Sequence, residues 1–304
     1  MIKVGVVGVG SMGINHVRNY YEMDNVELVG ISDIDIDRTK DVAIKYETKV
    51  FNNYKELIGK VDAVSIAVPT IYHKRVAIDF CKGGVNCLVE KPISFNIKDA
   101  KDIINTAEKN NVILMVGHIE NFNPAVIKVK EIIDEGLLGQ ILTISTKRIG
   151  PFVKRIVDVG IIVDTVTHDI GVIRYLAGKE PSDIFSKFGG IKNKKGDHAL
   201  IVLDFDDFFA SMEVNWFTPY KMRNLIVTGT DGVVLMDYVT QKIELCDSEW
   251  KRVSQIEKEE PLRKELEHFI DCVENDKEPL INGYEGLKIL EIAIKAENNE
   301  NTIT

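Results

Sequence analysis

The sequence lacks any apolar run approaching the roughly 18–20 residues that a membrane-spanning helix needs. It has only four cysteines, Cys81, Cys87, Cys246 and Cys272, at no paired spacing. A chain of 304 residues is long enough to build two cores without disulfide staples, so these read as reduced thiols. Positive charge is also scarce. The formal net charge of -9 argues against a broad basic face for nucleic acid. The first strand begins almost at residue 1 and leaves no room for a signal peptide. These absences give the expectation of a soluble, cytoplasmic protein with neither a membrane nor a nucleic acid as partner. A composition 45% hydrophobic and 28% charged is that of an ordinary globular chain, and the length favours two domains.

What is present begins at once. Val4-Gly5-Val6-Val7-Gly8-Val9-Gly10-Ser11-Met12-Gly13 joins a strand-length apolar run to a Gly-x-Gly-x-x-Gly turn and a helix over 14–23. Gly8 suits the tight turn, Gly10 lets a pyrophosphate approach the backbone, and Gly13 allows the helix to sit close on the strand. The helix end then faces the phosphates with its N–H groups and positive dipole. A second strand, 26–32, ends in Asp33, 20 residues after Gly13, where a carboxylate would accept ribose hydroxyls. The plainer reading is a glycine-rich turn that only packs helix on sheet. Asp33, with Asp35 and Asp37 nearby, favours NAD over NADP, and Arg38 is the nearest base.

Strand-like and helix-like stretches alternate to about residue 116, the pattern of a parallel Rossmann sheet with crossover helices. From Phe122 the texture changes. Seven strand-like segments between residues 141 and 246, with turn-like connections, suggest a largely antiparallel sheet. Helices are expected over 124–135, 161–177, 262–274 and 284–295.

Three segments carry candidate chemistry. Glu90-Lys91-Pro92 ends the fifth strand on the ligand side of the sheet, where a lysine would stabilise negative charge on a substrate oxygen; the alternative is a surface lysine before a turn. Asp164 and His168 are four apart and share a helix face. Imidazole suits proton exchange near neutrality. An ordinary surface pair is the alternative, and no third ligand supports a metal site. Lys147, Arg148, Lys154 and Arg155 are four bases with no acid between Gly136 and Val157. Such a cluster matches a diphosphate, or else belongs to a loop or a subunit contact. His73 follows the fourth strand and would line a cofactor cleft. His16, His198 and His268 are expected in local packing or at the surface.

Together, Gly8 to Gly13, Asp33, Ala67-Val68-Pro69-Thr70, Glu90-Lys91-Pro92 and Asp164-x-x-x-His168 resemble the Gfo/Idh/MocA oxidoreductase family over nearly the whole chain. The resemblance implies an NAD-binding Rossmann domain over 1–121. It further implies an α/β domain over 122–304, built on a large, mainly antiparallel sheet through which homodimers or homotetramers form. By position it implies an NAD site of Gly8, Gly10, Ser11, Met12, Gly13, Asp33, Arg38, Pro69, Thr70, His73, Glu90 and Lys91. Lys91, Asp164 and His168 match the family's catalytic residues, with His168 as acid/base. Residues 116–125, 148–152, 158–160 and 215–223 are similar to the branch acting on UDP-N-acetylglucosamine. That implies oxidation of the sugar 3-hydroxyl, with Lys91, Asn121, Asn123, Arg148, Arg155, Asp164 and His168 at the substrate. Two residues depart from the branch: Asn121 stands in place of arginine and Gly171 in place of aspartate. An inositol, polyol or other sugar dehydrogenase shares the same three catalytic residues and needs no phosphate site. A catalytically silent NAD-binding sensor is the rival from another class, and the intact catalytic set weighs against it.

Overall fold

The computed structural model describes residues 1–152, 160–254 and 256–298. It separates into two compact units, one of Met1–His118 with Leu262–Leu290, the other of Ile119–Pro261 with the chain from Glu291 onward. The first unit alternates β1 (Ile2–Val7), α1 (Gly13–Tyr21), β2 (Val26–Ser32), α2 (Ile36–Lys45), β3 (Lys49–Val50), β4 (Ala63–Ile66), α3 (His73–Lys82), β5 (Asn86–Glu90), α4 (Ile97–Lys109) and β6 (Leu114–Gly117). The six strands are parallel in the order β3-β2-β1-β4-β5-β6, the Rossmann arrangement. Val4, Val6, Ile31, Val64, Ile66, Leu88, Val89 and Val116 are all buried. Helices on both faces of a parallel sheet require such unbroken apolar strands. On α4 the buried residues Ala100, Ile103, Ile104 and Ala107 repeat at helical spacing, and the Asn96 side chain caps the helix by accepting the Asp99 N–H at 2.8 Å.

The second unit contains α5 (Pro124–Asp134), β7 (Ile141–Ile149), a π-helical turn (Ile162–Val166), α6 (Thr167–Ala177), β8 (Asp183–Gly189), β9 (His198–Asp204), β10 (Phe209–Asn215), β11 (Met222–Gly229), β12 (Val233–Asp237), β13 (Lys242–Cys246) and β14 (Lys251–Ser254). Its eight-stranded sheet runs β14-β13-β12-β11-β7-β10-β9-β8, antiparallel throughout except for the parallel pair β7 and β10. The large, mainly antiparallel sheet is therefore as expected. The additional strand β14 was not legible, because four largely exposed residues with two bases carry almost no apolar alternation. One face of the sheet is buried. The other carries Phe185, Leu200, Phe209, Ile226, Leu235 and Val253, each more than a third exposed. Among the described residues no helix is long and apolar enough to cross a membrane.

The chain ends with α7 (Pro261–Asn275) and α8 (Gly283–Asn298). The domain boundary expected at residues 121/122 falls instead at 118/119, and residues 262–290 belong with the first unit. The cause is the edge of β6. The Ile281 carbonyl accepts the Val116 N–H at 2.9 Å and Asn282 bridges Met115 in antiparallel fashion, covering backbone groups that an edge strand would leave open.

Within this unit α7 buries Leu262, Leu266, Phe269, Ile270 and also Glu265, which is fully buried with neither carboxyl oxygen hydrogen-bonded to the described residues. Burial, with the Glu90 charge adding to it, pushes the Glu265 carboxyl well above the usual carboxylate range. A raised native pKa stabilises the fold at acidic pH, and that stability is lost as pH rises from the ordinary value towards the native one. Glu265→Gln removes the ionisation and keeps the shape. The variant is expected to gain on the wild type by up to ~1.4 kcal/mol per pH unit above the ordinary carboxylate range. Thermal unfolding at several pH values checks this, and a pH-independent offset would show that Glu265 ionises normally.

Candidate active site

In the first unit the turn after β1 is built by backbone contact. Gly8 has φ +90°, and a Cβ there would lie 2.6 Å from the Ala67 carbonyl oxygen, in the loop after β4. A Cβ on Gly13 would lie 1.8 Å from the Gly8 oxygen, so only glycine lets α1 start this close. Gly10 differs: a Cβ there would meet only the Arg38 guanidinium, at 3.9 Å. Its open side is where a ligand backbone would pass. Asp33 closes the cradle, its carboxylate accepting the Val9 N–H at 2.7 Å and the Asp35 N–H at 2.9 Å. Asp35 caps α2 and accepts from the Arg38 guanidinium, whose pKa it raises. Ser11 and Pro69 are exposed, and Met12, Thr70 and Lys91 are half-buried.

Two expected cofactor contacts lie deeper. His73 is buried, with Nδ1 3.0 Å from the Pro92 carbonyl oxygen and Nε2 2.9 Å from that of Val68. Burial holds its pKa below the usual histidine range although two carbonyls face the ring. It ties the loop after β4 to the one after β5 and has no ring nitrogen to offer a ligand. Glu90 is also buried. Its Oε2 accepts the Lys91 N–H at 3.2 Å, and its Oε1 lies 2.9 Å from Nε2 of His16. Nδ1 of His16 is 3.1 Å from the Ser65 hydroxyl, which lies 2.8 Å from the Tyr20 hydroxyl. His16, expected in local packing or at the surface, thus braces the residue before Lys91.

In the second unit Asp164 and His168 are half-buried, whereas 161–163, 165–167 and 169–170 are buried. The two therefore share the uncovered side of this segment. The helix expected over 161–177 begins as the π-helical turn, a form frequent at functional sites. The Thr165 hydroxyl donates to Asp164 Oδ2 at 3.1 Å.

Three residues expected at the substrate are interior, and the assignment is corrected. β7 extends through Ile149, so its pleat turns Lys147 outward to pair with Glu213 at 2.8 Å and Arg148 inward. Arg148 donates to Glu120 at 2.9 Å and to Asp169 at 3.1 Å, and its guanidinium lies over the Tyr238 ring. Burial alone would lower its pKa, but Asp169 and Glu120 outweigh that and hold it above the usual range. Asp169 fares differently: burial, with the Glu120 charge adding to it, raises its pKa although Arg148 and Arg223 lower it. Asn123 caps α5 through the Ala125 N–H at 3.1 Å and donates to the Tyr238 carbonyl at 3.2 Å. Asn121 is fully buried and donates to the Gly171 carbonyl at 3.1 Å. The two departures from the branch pattern touch each other. Arg155 lies outside the described residues.

A cavity of about 190 Å³ lined by Ile133, Ile144, Leu176, Lys179 and Phe208 contains none of the candidate residues, so its shape gives it no claim to the chemistry. Among the described residues no group of His, Cys, Asp and Glu is gathered to hold a metal ion.

A dinucleotide cradle on one sheet and an Asp–His segment beside another define the architecture of a two-unit oxidoreductase. Residues 2–118 match the family described as "Oxidoreductase family, NAD-binding Rossmann fold", and residues 126–235 match the "GFO/IDH/MocA C-terminal domain". The chain belongs to the Gfo/Idh/MocA oxidoreductase family. It is 25% identical to the UDP-N-acetylglucosamine 3-dehydrogenase of Acidithiobacillus ferrooxidans, covering 97% of this chain and 96% of that one. A solved structure of that protein superposes with a TM-score of 0.91 at 25% identity, covering 98% and 97% of the two chains. The chain is also 28% identical to the myo-inositol 2-dehydrogenase of Thermotoga maritima, over 98% of its own length and 96% of the relative's. The family's NAD fits the residues present: the side open at Gly10 admits a pyrophosphate, and the Asp33 carboxylate retains lone pairs for ribose hydroxyls.

Proposed function

We propose that the protein is an NAD-dependent dehydrogenase that oxidises the 3-hydroxyl of UDP-N-acetylglucosamine. The observation that carries the enzymatic reading is that Asp164 and His168 are together only half-buried on an otherwise buried segment. NAD, when bound, supplies the hydride acceptor. His168 removes the hydroxyl proton, Asp164 orients the imidazole or the substrate hydroxyl, and the Lys91 ammonium stabilises charge developing on that oxygen. The nucleotide-sugar substrate is supported by the full-length likeness to the 3-dehydrogenase. A polyol is the second reading, favoured by the inositol dehydrogenase relative and by the enclosure of Arg148, which takes that cation away from any diphosphate.

His168→Ala is expected to reduce turnover by at least roughly a hundredfold while NAD binding persists. Wild-type turnover in that variant would sink the acid/base role. A panel of UDP-sugars and free polyols, followed by NADH formation with a ketone trap, tests the substrate. Oxidation of inositol without any of UDP-N-acetylglucosamine would refute the nucleotide-sugar reading.

NAD is preferred over NADP because the Asp33 carboxylate, which accepts the Val9 N–H, would repel a ribose 2′-phosphate, and Arg38 is already engaged by Asp35. Titration at matched ionic strength should show NAD binding at least roughly tenfold more tightly. Equal affinities would mean that Arg38 leaves Asp35 for the phosphate.

Self-association as a homodimer or homotetramer would bury the apolar open face of the sheet, an exposed patch of the kind that marks an interface. Sedimentation should show an oligomer that Leu200→Asp weakens. A wild-type monomer at micromolar concentration would contradict this.

A further inference from the structure

Arg148 and Arg223 are directly opposed on β7 and β11, and both lie on the covered face of the sheet. Two guanidiniums side by side compete for the same counter-charges. Arg148 takes them, at 2.9 Å from Glu120 and 3.1 Å from Asp169. Among the described residues Arg223 pairs only with Glu120 Oε1, at 3.9 Å, an oxygen that already accepts from Arg148. Their exposure follows: 6% for the Arg148 side chain and 40% for that of Arg223. A guanidinium has five N–H donors, and at 3.9 Å the Glu120 contact is too long for a hydrogen bond. Burial and the repulsion of Arg148 lower the Arg223 pKa, while Glu120, Asp169 and Asp164 raise it, so Asp164 is in electrostatic reach of this guanidinium. An arginine nonetheless stays charged near neutrality. A cation thus lies within electrostatic reach of Asp164, with its side chain 40% exposed.

We propose that Arg223, rather than Arg148, is the residue that holds the phosphate of a nucleotide-sugar substrate, through the planar fork that matches phosphate oxygens. The assignment rests on the nucleotide-sugar reading above and deepens it. Arg148 is a positioning residue: it anchors the ion cluster and leaves Arg223 as the arginine presented to a ligand.

Calorimetric titration of the NAD-loaded protein with UDP-N-acetylglucosamine and with UDP tests the proposal. Arg223→Gln should weaken both roughly 10–100-fold, with NAD affinity and unfolding midpoint unchanged. Arg223→Lys, which keeps the charge and loses the fork, should recover part of the loss. Raising the salt concentration should weaken UDP binding in the wild type and much less in Arg223→Gln. Arg148→Met should instead lower the unfolding midpoint, by roughly 5 °C or more. Tight UDP-N-acetylglucosamine binding in both the wild type and Arg223→Gln would overturn the assignment and leave the substrate reading standing. Unchanged affinity with a displaced pH–rate profile would likewise overturn it, making Arg223 a partner of Asp164 alone. A wild type that binds neither UDP compound yet oxidises inositol would overturn both.

Discussion

One buried guanidinium organises the part of the second unit that carries Asp164 and His168. Arg148, at the end of β7, is gripped by Glu120 from the short helical turn Ile119–Phe122 and by Asp169 from the first turn of α6. Three elements are thereby fixed against one another, and α6 is continuous with the π-helical turn that carries Asp164. Withdrawing such charges from water is costly, and the attraction compensates only when the geometry is good and both carboxylates take part. The pKa directions record that balance: the arginine gains from its two partners, whereas burial and the nearby Glu120 hold the Asp169 carboxyl up despite its guanidinium partner. Removing Arg148 would leave two carboxylates facing each other in the interior.

The first unit solves a related problem with a buried hydrogen-bonded chain that ends on one carboxylate. A His16 imidazole with its proton on Nε2 satisfies the whole buried chain. Nε2–H donates to Glu90, Nδ1 accepts from Ser65, and the Ser65 oxygen accepts from Tyr20. The chain links α1, β4 and β5 just before Lys91. Glu265 lies within electrostatic reach of both Tyr20 and Glu90, and its raised pKa keeps a second full negative charge away from this network. In both units, then, the residues proposed to meet the substrate stand next to buried polar networks.

Much of this was legible. The glycine turn and Asp33 are short patterns whose physical meaning is local, and with the alternation of strands and helices they gave a parallel Rossmann sheet, though not the order of its strands. Asp164 and His168, placed four apart by helical spacing, are both half-buried among buried neighbours. The basic segment was the instructive failure. Its four bases look alike in sequence, yet two residues more of β7 decide that Lys147 points outward and Arg148 inward. Asn121 and Gly171 appeared as two unrelated departures and prove to be one contact across 50 positions.

The sequence by itself determined the cofactor fold and the identity of the residues able to do chemistry, because turns, caps and periodic faces depend on near neighbours. Only the tertiary structure decided which charges remain available. Burial and ion pairing join residues far apart in the chain, as when Glu120 and Asp169 claim Arg148 and leave Arg223 beside them half-exposed. For the same reason it took the fold to return residues 262–290 to the first unit. An open strand edge attracts whatever backbone reaches it, and nothing in the local pattern of α7 or α8 names β6 as that edge.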